Sequence, residues 1–139
     1  MGDRQADVLL VGGGVASAAC AVGLREGGFE GSVVLAGREP DPPYERPPAS
    51  KSYLSGAQGR DDALYRPESW YADNDVELLT RVSVMKMDTV AHTVKLSDRS
   101  ELSFGSALVA TGANVRRLNV DGADLEGLHY LRALRNADT

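Results

Sequence analysis

A chain of 139 residues that is 42% hydrophobic and 25% charged has the make-up of one globular domain, able to bury about two thirds of its unfolded surface. A formal net charge of −5 disfavours a nucleic-acid partner, which selects a basic face. No apolar run nears the roughly 20 residues that span a bilayer, and the opening MGDRQAD carries neither an export signal nor, after Gly2, the Ser or Thr of a myristoylation site.

Residues 6–11 read ADVLLV, a short apolar run ending in Gly12-Gly13-Gly14. Such a run suits a strand buried on both faces in a parallel sheet. VASAACAVGLREGG follows, small or apolar at Ala18, Ala21, Val22 and Leu24 and charged only at its end. That pattern predicts a buried helix closed by Gly27-Gly28. Residues 32–36, SVVLA, are a second buried strand, and the three elements make a right-handed βαβ unit. PPYERPPASKSYL, residues 42–54, then holds four of the six prolines, together with Glu45, Arg46 and Lys51. Prolines this dense stiffen a loop and exclude both helix and central strand. Arg66-Pro67-Glu68 opens a short helix through Trp70 and Tyr71, and VELL, residues 76–79, is another parallel strand. RVSVMKMD, HTVKLSD and ELSF alternate apolar and polar, as antiparallel strands with one wet face do. Residues 107–110, ALVA, return to a buried run ending in Thr111-Gly112, and the mixed polar stretch beyond reads as a connector. The expected fold is α/β and Rossmann-like, a three-layer parallel sheet with a small antiparallel excursion.

Gly12-Gly13-Gly14-Val15-Ala16-Ser17 is a G-x-G-x-x-G fingerprint with serine in the third slot. The first glycine makes the tight turn, and the second lets a pyrophosphate approach the backbone and the positive helix N-terminus. The third allows close helix–strand packing, where Ser17 adds two heavy atoms. A Gly-rich loop without a ligand is the plainer alternative, but the strand before and the helix and strand after favour dinucleotide binding. The fingerprint also calls for an acid at the end of the second strand to hold ribose hydroxyls. Glu39 is the candidate, one place late. Arg38 takes the nearer place, where it stacks on adenine or, for an NADP ligand, accepts the 2′-phosphate. A solvated charge pair is the alternative.

VLLVGGGVASAACAVGL, REPDPPYERPPASKSYL and ALVATGANVRRL together resemble the pyridine-nucleotide disulfide reductase superfamily. The narrower resemblance is to ferredoxin, rubredoxin and putidaredoxin reductases and apoptosis-inducing-factor flavoproteins. The string PYxRPPxSKxYL is more specific than the glycine turn, and the likeness covers nearly the whole chain. It implies FAD in the first βαβ unit, NAD(P)H as the reductant and electron delivery to a ferredoxin- or rubredoxin-type iron–sulfur protein. Where disulfide-reducing relatives carry a CxxxxC pair, this chain has Pro47-Pro48-Ala49-Ser50-Lys51, so the resemblance implies no disulfide relay. It places Arg46 and Lys51 near the flavin. Lys51 is given the catalytic part, stabilising negative charge as the ring is reduced, which is electrostatic tuning rather than acid–base work. By position, Val15 and Ala16 fall in the pyrophosphate turn, and Val84 matches the residue whose backbone meets adenine. Arg132 matches an arginine reaching the flavin side, and Thr111-Gly112 match the ATG turn that returns the chain beside the cofactor. Ser17 for glycine and Ala49 for a common leucine depart from the pattern. So does the stop at Thr139, before the family's nicotinamide domain, its returning FAD segment and its interface domain. The expectation is a first FAD-binding segment over residues 1–118, a connector over 119–139, and a need for the remaining segments of a longer reductase.

Other residues are given no chemistry. His92 and His129 stand apart without clustered carboxylates or thiols, so no metal site is expected. Cys20, the single cysteine, forms no disulfide or CxxC pair and reads as a buried structural thiol, which fits a reducing, cytoplasmic compartment. Trp70 and Tyr71 read as helix packing; Asp61, Asp62, Arg116 and Arg117 read as solvated. Two other functions stay open: a non-catalytic dinucleotide-binding module, and a structural fragment whose exposed sheet edge favours self-association. NADH against NADPH, and homo-oligomerisation, are undecided by these residues.

Overall fold

Continuous apolar runs build the central strands. In the computed structural model, which describes residues 4–139, β1 (Arg4–Val11) turns Leu9 and Val11 into one hydrophobic cluster and Leu10 into the other, on the opposite face. Residues 1–3, part of the stretch read above for export and myristoylation signals, lie outside the described residues. α1 (Val15–Glu26) follows, then β2 (Val33–Ala36), parallel to β1 with Val8 opposite Val33 and Val11 opposite Ala36. α1 stops as its glycines predict. Gly28 sits at φ +81°, Phe29 N donates to Leu24 O at 2.9 Å, and Gly28 N donates to Arg25 O at 3.1 Å. This is a Schellman turn, and Phe29 and Leu24 both pack against the same core cluster.

The rest of the sheet comes from β3 (Val76–Leu79), β4 (Val84–Asp88), β5 (Thr93–Leu96) and β6 (Glu101–Val109), in the order β3-β2-β1-β6-β5-β4. β1, β2, β3 and β6 are parallel, and β4 and β5 are the antiparallel excursion. A second helix, α2 (Glu68–Asp73), precedes β3. The chain divides into two compact units. The larger comprises the residues up to Tyr44 with Tyr65–Gly112; the smaller comprises Glu45–Leu64 with Ala113–Thr139.

In the larger unit, one sheet face packs Leu10, Val33 and Leu35 against Ala21 of α1 and Tyr71 of α2. The other face packs Leu9, Val11 and Val34 against Val94 and Leu96 of β5. The third layer is therefore the curled β4–β5 hairpin rather than a helix. Among the described residues, no helix is long and apolar enough to cross a membrane.

β6 departs from the sequence expectation in two ways. ELSF and ALVA are one continuous strand, antiparallel to β5 at residues 101–103 and parallel to β1 along most of its length. The ALVA stretch is also not buried: Leu108 is 36% exposed and Val109 61% exposed. Among the described residues, that half of β6 pairs on one edge only, with β1.

In the smaller unit, Pro47–Ser50 and Asp61–Ala63 form 3-10 turns, and α3 (Leu134–Ala137) buries Leu134. Arg60 and Tyr53 both bond the Asp138 carboxylate, at 2.5 Å each, and Arg60 lies over the Tyr53 ring.

Tyr71 is 1% exposed, and its hydroxyl has no partner among the described residues. Burial pushes its pKa up from 10.0 to about 12, against the opposing charge of Arg66. The unfolded chain thus gives up this proton first as pH rises. The contribution to stability is whole below pH 10 and is lost as pH climbs towards about 12. Tyr71→Phe keeps the ring and removes an unsatisfied group. It is expected to be at least as stable as wild type at pH 7 and to lose less stability between pH 10 and 12 in urea titrations. Equal losses for both proteins would refute this.

Candidate functional site

β1, β2 and β6 end side by side, and most of the residues singled out in the larger unit gather at those ends. Gly12 N donates to Ala36 O at 2.9 Å, and Ala110 N donates to Val11 O at 2.8 Å. In open α/β sheets, the crevice at the carboxyl ends of parallel strands is where ligands bind.

The three glycines of the turn meet different demands. Gly12 has φ +121°, and a Cβ there would lie 2.1 Å from Ala110 O and 3.2 Å from Thr111 Cα. This close approach brings Thr111 and Gly112 beside the glycine turn. Gly13 abuts Gly37, where a Cβ would lie 2.7 Å from Gly13 Cα. Gly37 was not foreseen, and its one signal is its place directly after the second strand.

Gly14 is different. Its φ of −99° and ψ of −177° are open to any residue, and a Cβ there meets nothing within 4 Å. Neither the backbone nor the chain's own packing requires glycine at this position. It keeps the approach to α1 clear. α1 starts there with no side-chain cap and no acid in its first turn, which leaves its first amides without intrahelical partners and its positive dipole end uncompensated. Val15 and Ala16 are exposed beside it. Ser17 is fully buried, its hydroxyl without a partner among the described residues; the packing slot tolerates its size, at about 1–3 kcal/mol for the unsatisfied group.

The end of β2 is fastened to the β3–β4 connection. Gly37 N donates to Leu79 O at 2.8 Å, Val82 N to Gly37 O at 3.0 Å and Arg81 N to Glu39 O at 3.0 Å. Arg38 is exposed and Glu39 half-buried. The Tyr44 hydroxyl donates to Glu39 Oε2 at 2.5 Å. Val84 lies within β4 opposite Leu96, and in the connection before it the backbones of Arg81 and Val82 bond the end of β2.

Arg46, Lys51 and Arg132 belong to the smaller unit. Arg46 Nη1 donates to Arg132 O at 3.3 Å, and Arg132 Nε donates to Ala113 O at 2.9 Å. The Asn136 side chain accepts from the amides of Arg132 and Ala133 at 3.1 and 2.8 Å. Arg46 and Arg132 are therefore neighbours. Lys51 is exposed at the end of the Pro47–Ser50 turn, its amide bonded to Pro48 O at 3.0 Å. Its ammonium has no hydrogen bond or ion pair among the described residues. Asn136 was missed in the sequence; Arg117, read as solvated, is exposed and lies over the Tyr130 ring. No group of three His, Cys, Asp or Glu side chains gathers as a metal site among the described residues.

The open cradle at Gly14, the uncapped helix and the fixed acid after β2 fit the diphosphate and ribose of a dinucleotide such as FAD.

Comparison with known proteins agrees. The sequence profile of the pyridine nucleotide-disulphide oxidoreductase family matches residues 6–139. A ferredoxin–NAD(P)(+) reductase of Sphingomonas sp. is 38% identical over 99% of this chain and 33% of its own length. Rhodocoxin reductase of Rhodococcus erythropolis is 38% identical over 95% of this chain and 31% of its own. Among solved structures, a ferredoxin reductase from Rhodopseudomonas palustris superposes with a TM-score of 0.88 at 32% identity, covering 98% of this chain and 33% of that one. Putidaredoxin reductase in its covalent complex with putidaredoxin gives 0.89 at 32% identity, with the same coverage. The chain thus spans about a third of the length of these relatives.

Proposed function

Since the chain belongs to the pyridine nucleotide-disulphide oxidoreductase family, we propose that it is the FAD-binding portion of an NAD(P)H-dependent flavoprotein reductase whose acceptor is a ferredoxin- or rubredoxin-type iron–sulfur protein. The observation that carries this reading is the cradle at Gly14, held open beside the uncapped start of α1. Gly12, Gly13 and Gly14 shape the turn, and the amides around Val15 and Ala16 receive the pyrophosphate. Glu39 takes the ribose hydroxyls, with Arg38 beside the adenine. Val84 offers its backbone to the adenine, as the resemblance implies, from the strand that follows the Arg81–Val82 tie to the end of β2. Thr111 and Gly112 close the crevice from β6. By the family resemblance, Arg46, Lys51 and Arg132 of the smaller unit are the cations assigned to the flavin, where a fixed cation favours developing negative charge. FAD, when bound, supplies the exchange between two-electron and one-electron chemistry.

One cysteine, Cys20, which is half-buried on α1 rather than fully buried as the sequence suggests, leaves these residues without a redox disulfide, which supports direct delivery to a protein acceptor and a reducing, cytoplasmic setting. Residues 1–118 make the first FAD-binding segment, and 119–139 lead towards a nicotinamide-binding domain. The half-exposed second part of β6 suits pairing with the remaining reductase segments and gives the isolated chain a route to self-association.

The test is an absorption spectrum of the purified chain after FAD addition and gel filtration. Flavin co-eluting with wild type, and lost on substitution of Gly14 or Glu39, is the expected result. Flavin retained equally by those variants would overturn the assignment of the site.

A further inference from the structure

Glu39 is held more firmly than an acid on a loop after a strand needs to be. Its carbonyl accepts from Arg81 N at 3.0 Å, and the residues before it are fixed through Gly37 to Leu79 and Val82. Its carboxylate accepts from the Tyr44 hydroxyl at 2.5 Å. Tyr44 is only 2% exposed, and it follows Pro42 and Pro43, whose fixed φ angles stiffen the chain that carries it. Tyr65 N also donates to Pro43 O at 2.9 Å, which anchors the same stretch. A rigid, buried phenol thus sets the plane of a half-buried carboxylate at the end of β2.

We propose that Tyr44 is a positioning residue for the adenosine half of the ligand. By holding Oε2, it orients the Glu39 carboxylate towards the 2′- and 3′-hydroxyls of a ribose carried on a 5′-diphosphate. The proposal rests on the dinucleotide site described above and deepens it. The hydroxyl gives Glu39 one orientation before the ligand arrives, so binding does not have to freeze the side chain, and the hydrogen bond to a charged acceptor is of the strong kind. The stiffness of the PPY segment gains a reason from this, since a mobile loop would not hold the carboxylate in register with the glycine turn.

The probes are adenosine 5′-diphosphate and its 2′,3′-dideoxy analogue, titrated by calorimetry into wild type, Tyr44→Phe, Glu39→Gln and the double variant. Wild type is expected to bind ADP about tenfold more tightly than the dideoxy form, a ratio worth about 1.4 kcal/mol. Tyr44→Phe keeps the buried ring and hence its packing. It should lose most of that ratio by weakening ADP alone, and it should add nothing to Glu39→Gln. A purely structural role for Tyr44 would weaken both probes alike and leave the ratio intact; that result, or an unchanged Tyr44→Phe, overturns the proposal while the dinucleotide site stands. A wild type that binds both probes equally overturns the ribose role of Glu39 and the proposal with it. A wild type that binds neither ADP nor FAD overturns the dinucleotide reading itself.

Discussion

Gly12→Ala is expected to leave the chain unfolded, whereas Gly14→Ala, two residues on, is expected to leave it folded but poor at holding FAD. The two glycines answer to different partners. At Gly12, φ is +121° and an added Cβ would sit 2.1 Å from Ala110 O and 2.7 Å from Ala110 C. Both atoms are backbone of the chain leaving β6, tied by Ala110 N to Val11 O, so relief means pulling β6 away from β1 where the parallel sheet is centred. Backbone strain and overlap of this kind cost more than about 4 kcal/mol, close to the whole stability of a small domain, which is about 5–15 kcal/mol. At Gly14 the backbone is extended and a Cβ meets nothing within 4 Å. An alanine there changes folding stability by about 1 kcal/mol or less. The methyl instead occupies the approach to the amides of α1. Losing even one charge-assisted bond there, worth about 1.5–3 kcal/mol, weakens FAD by about tenfold or more. Thermal melts by circular dichroism, with FAD retention measured on the same samples, separate the outcomes. A folded Gly12→Ala would show that the β1–β6 contact is softer than its geometry. A Gly14→Ala that keeps wild-type FAD affinity would show that the diphosphate does not lie there.

The same turn marks what the sequence alone can carry. Fingerprint glycines, buried βαβ runs and the Gly27-Gly28 stop are local signals, because each records a demand made within a few residues along the chain. The period change from ELSF to ALVA is local too, yet it misleads. It records a change of neighbour, from β5 to an edge with none among the described residues, within one unbroken strand. The buried look of ALVA reports what the strand is built to meet, while its exposure reports what surrounds it. At the site, the acid after β2 was legible from spacing. The Tyr44 hydroxyl on Glu39 was not, because a tyrosine five residues on is compatible with any loop path. The meeting of residues 82 and 37 was hidden as well, since it depends on how the β3–β4 connection folds back.

Arg25 is the clearest residue whose part could not be read in advance, and its loss is expected to destabilise the larger unit by about 3 kcal/mol. In the sequence it is a charge at the end of a helix, favourable to the helix dipole and otherwise ordinary. In the structure its guanidinium donates to four backbone carbonyls: Nε to Asn74 at 2.7 Å, Nη1 to Phe29 at 2.6 Å and to Gly31 at 2.9 Å, and Nη2 to Asp75 at 2.8 Å. Two of these close the Schellman turn onto the start of β2. The other two reach 49 and 50 residues along the chain and fix the turn between α2 and β3, where Asp75 stands at φ +52°. One side chain therefore ties the ends of both helices to the strands they precede. Arg25→Met keeps the aliphatic stem and removes all four bonds. Arg25→Lys keeps the charge but replaces a planar fork with a point donor that cannot span acceptors on both sides, and is expected to recover less than half the loss. Urea unfolding followed by Trp70 fluorescence measures both, since Trp70 lies on α2 and its carbonyl accepts from Asn74 Nδ2 at 2.8 Å. Midpoints for both variants within about 1 kcal/mol of wild type would mean that water replaces the guanidinium at these carbonyls at little cost. A large loss for Arg25→Met with full recovery by Arg25→Lys would assign the effect to charge at the helix end rather than to the four-carbonyl fork.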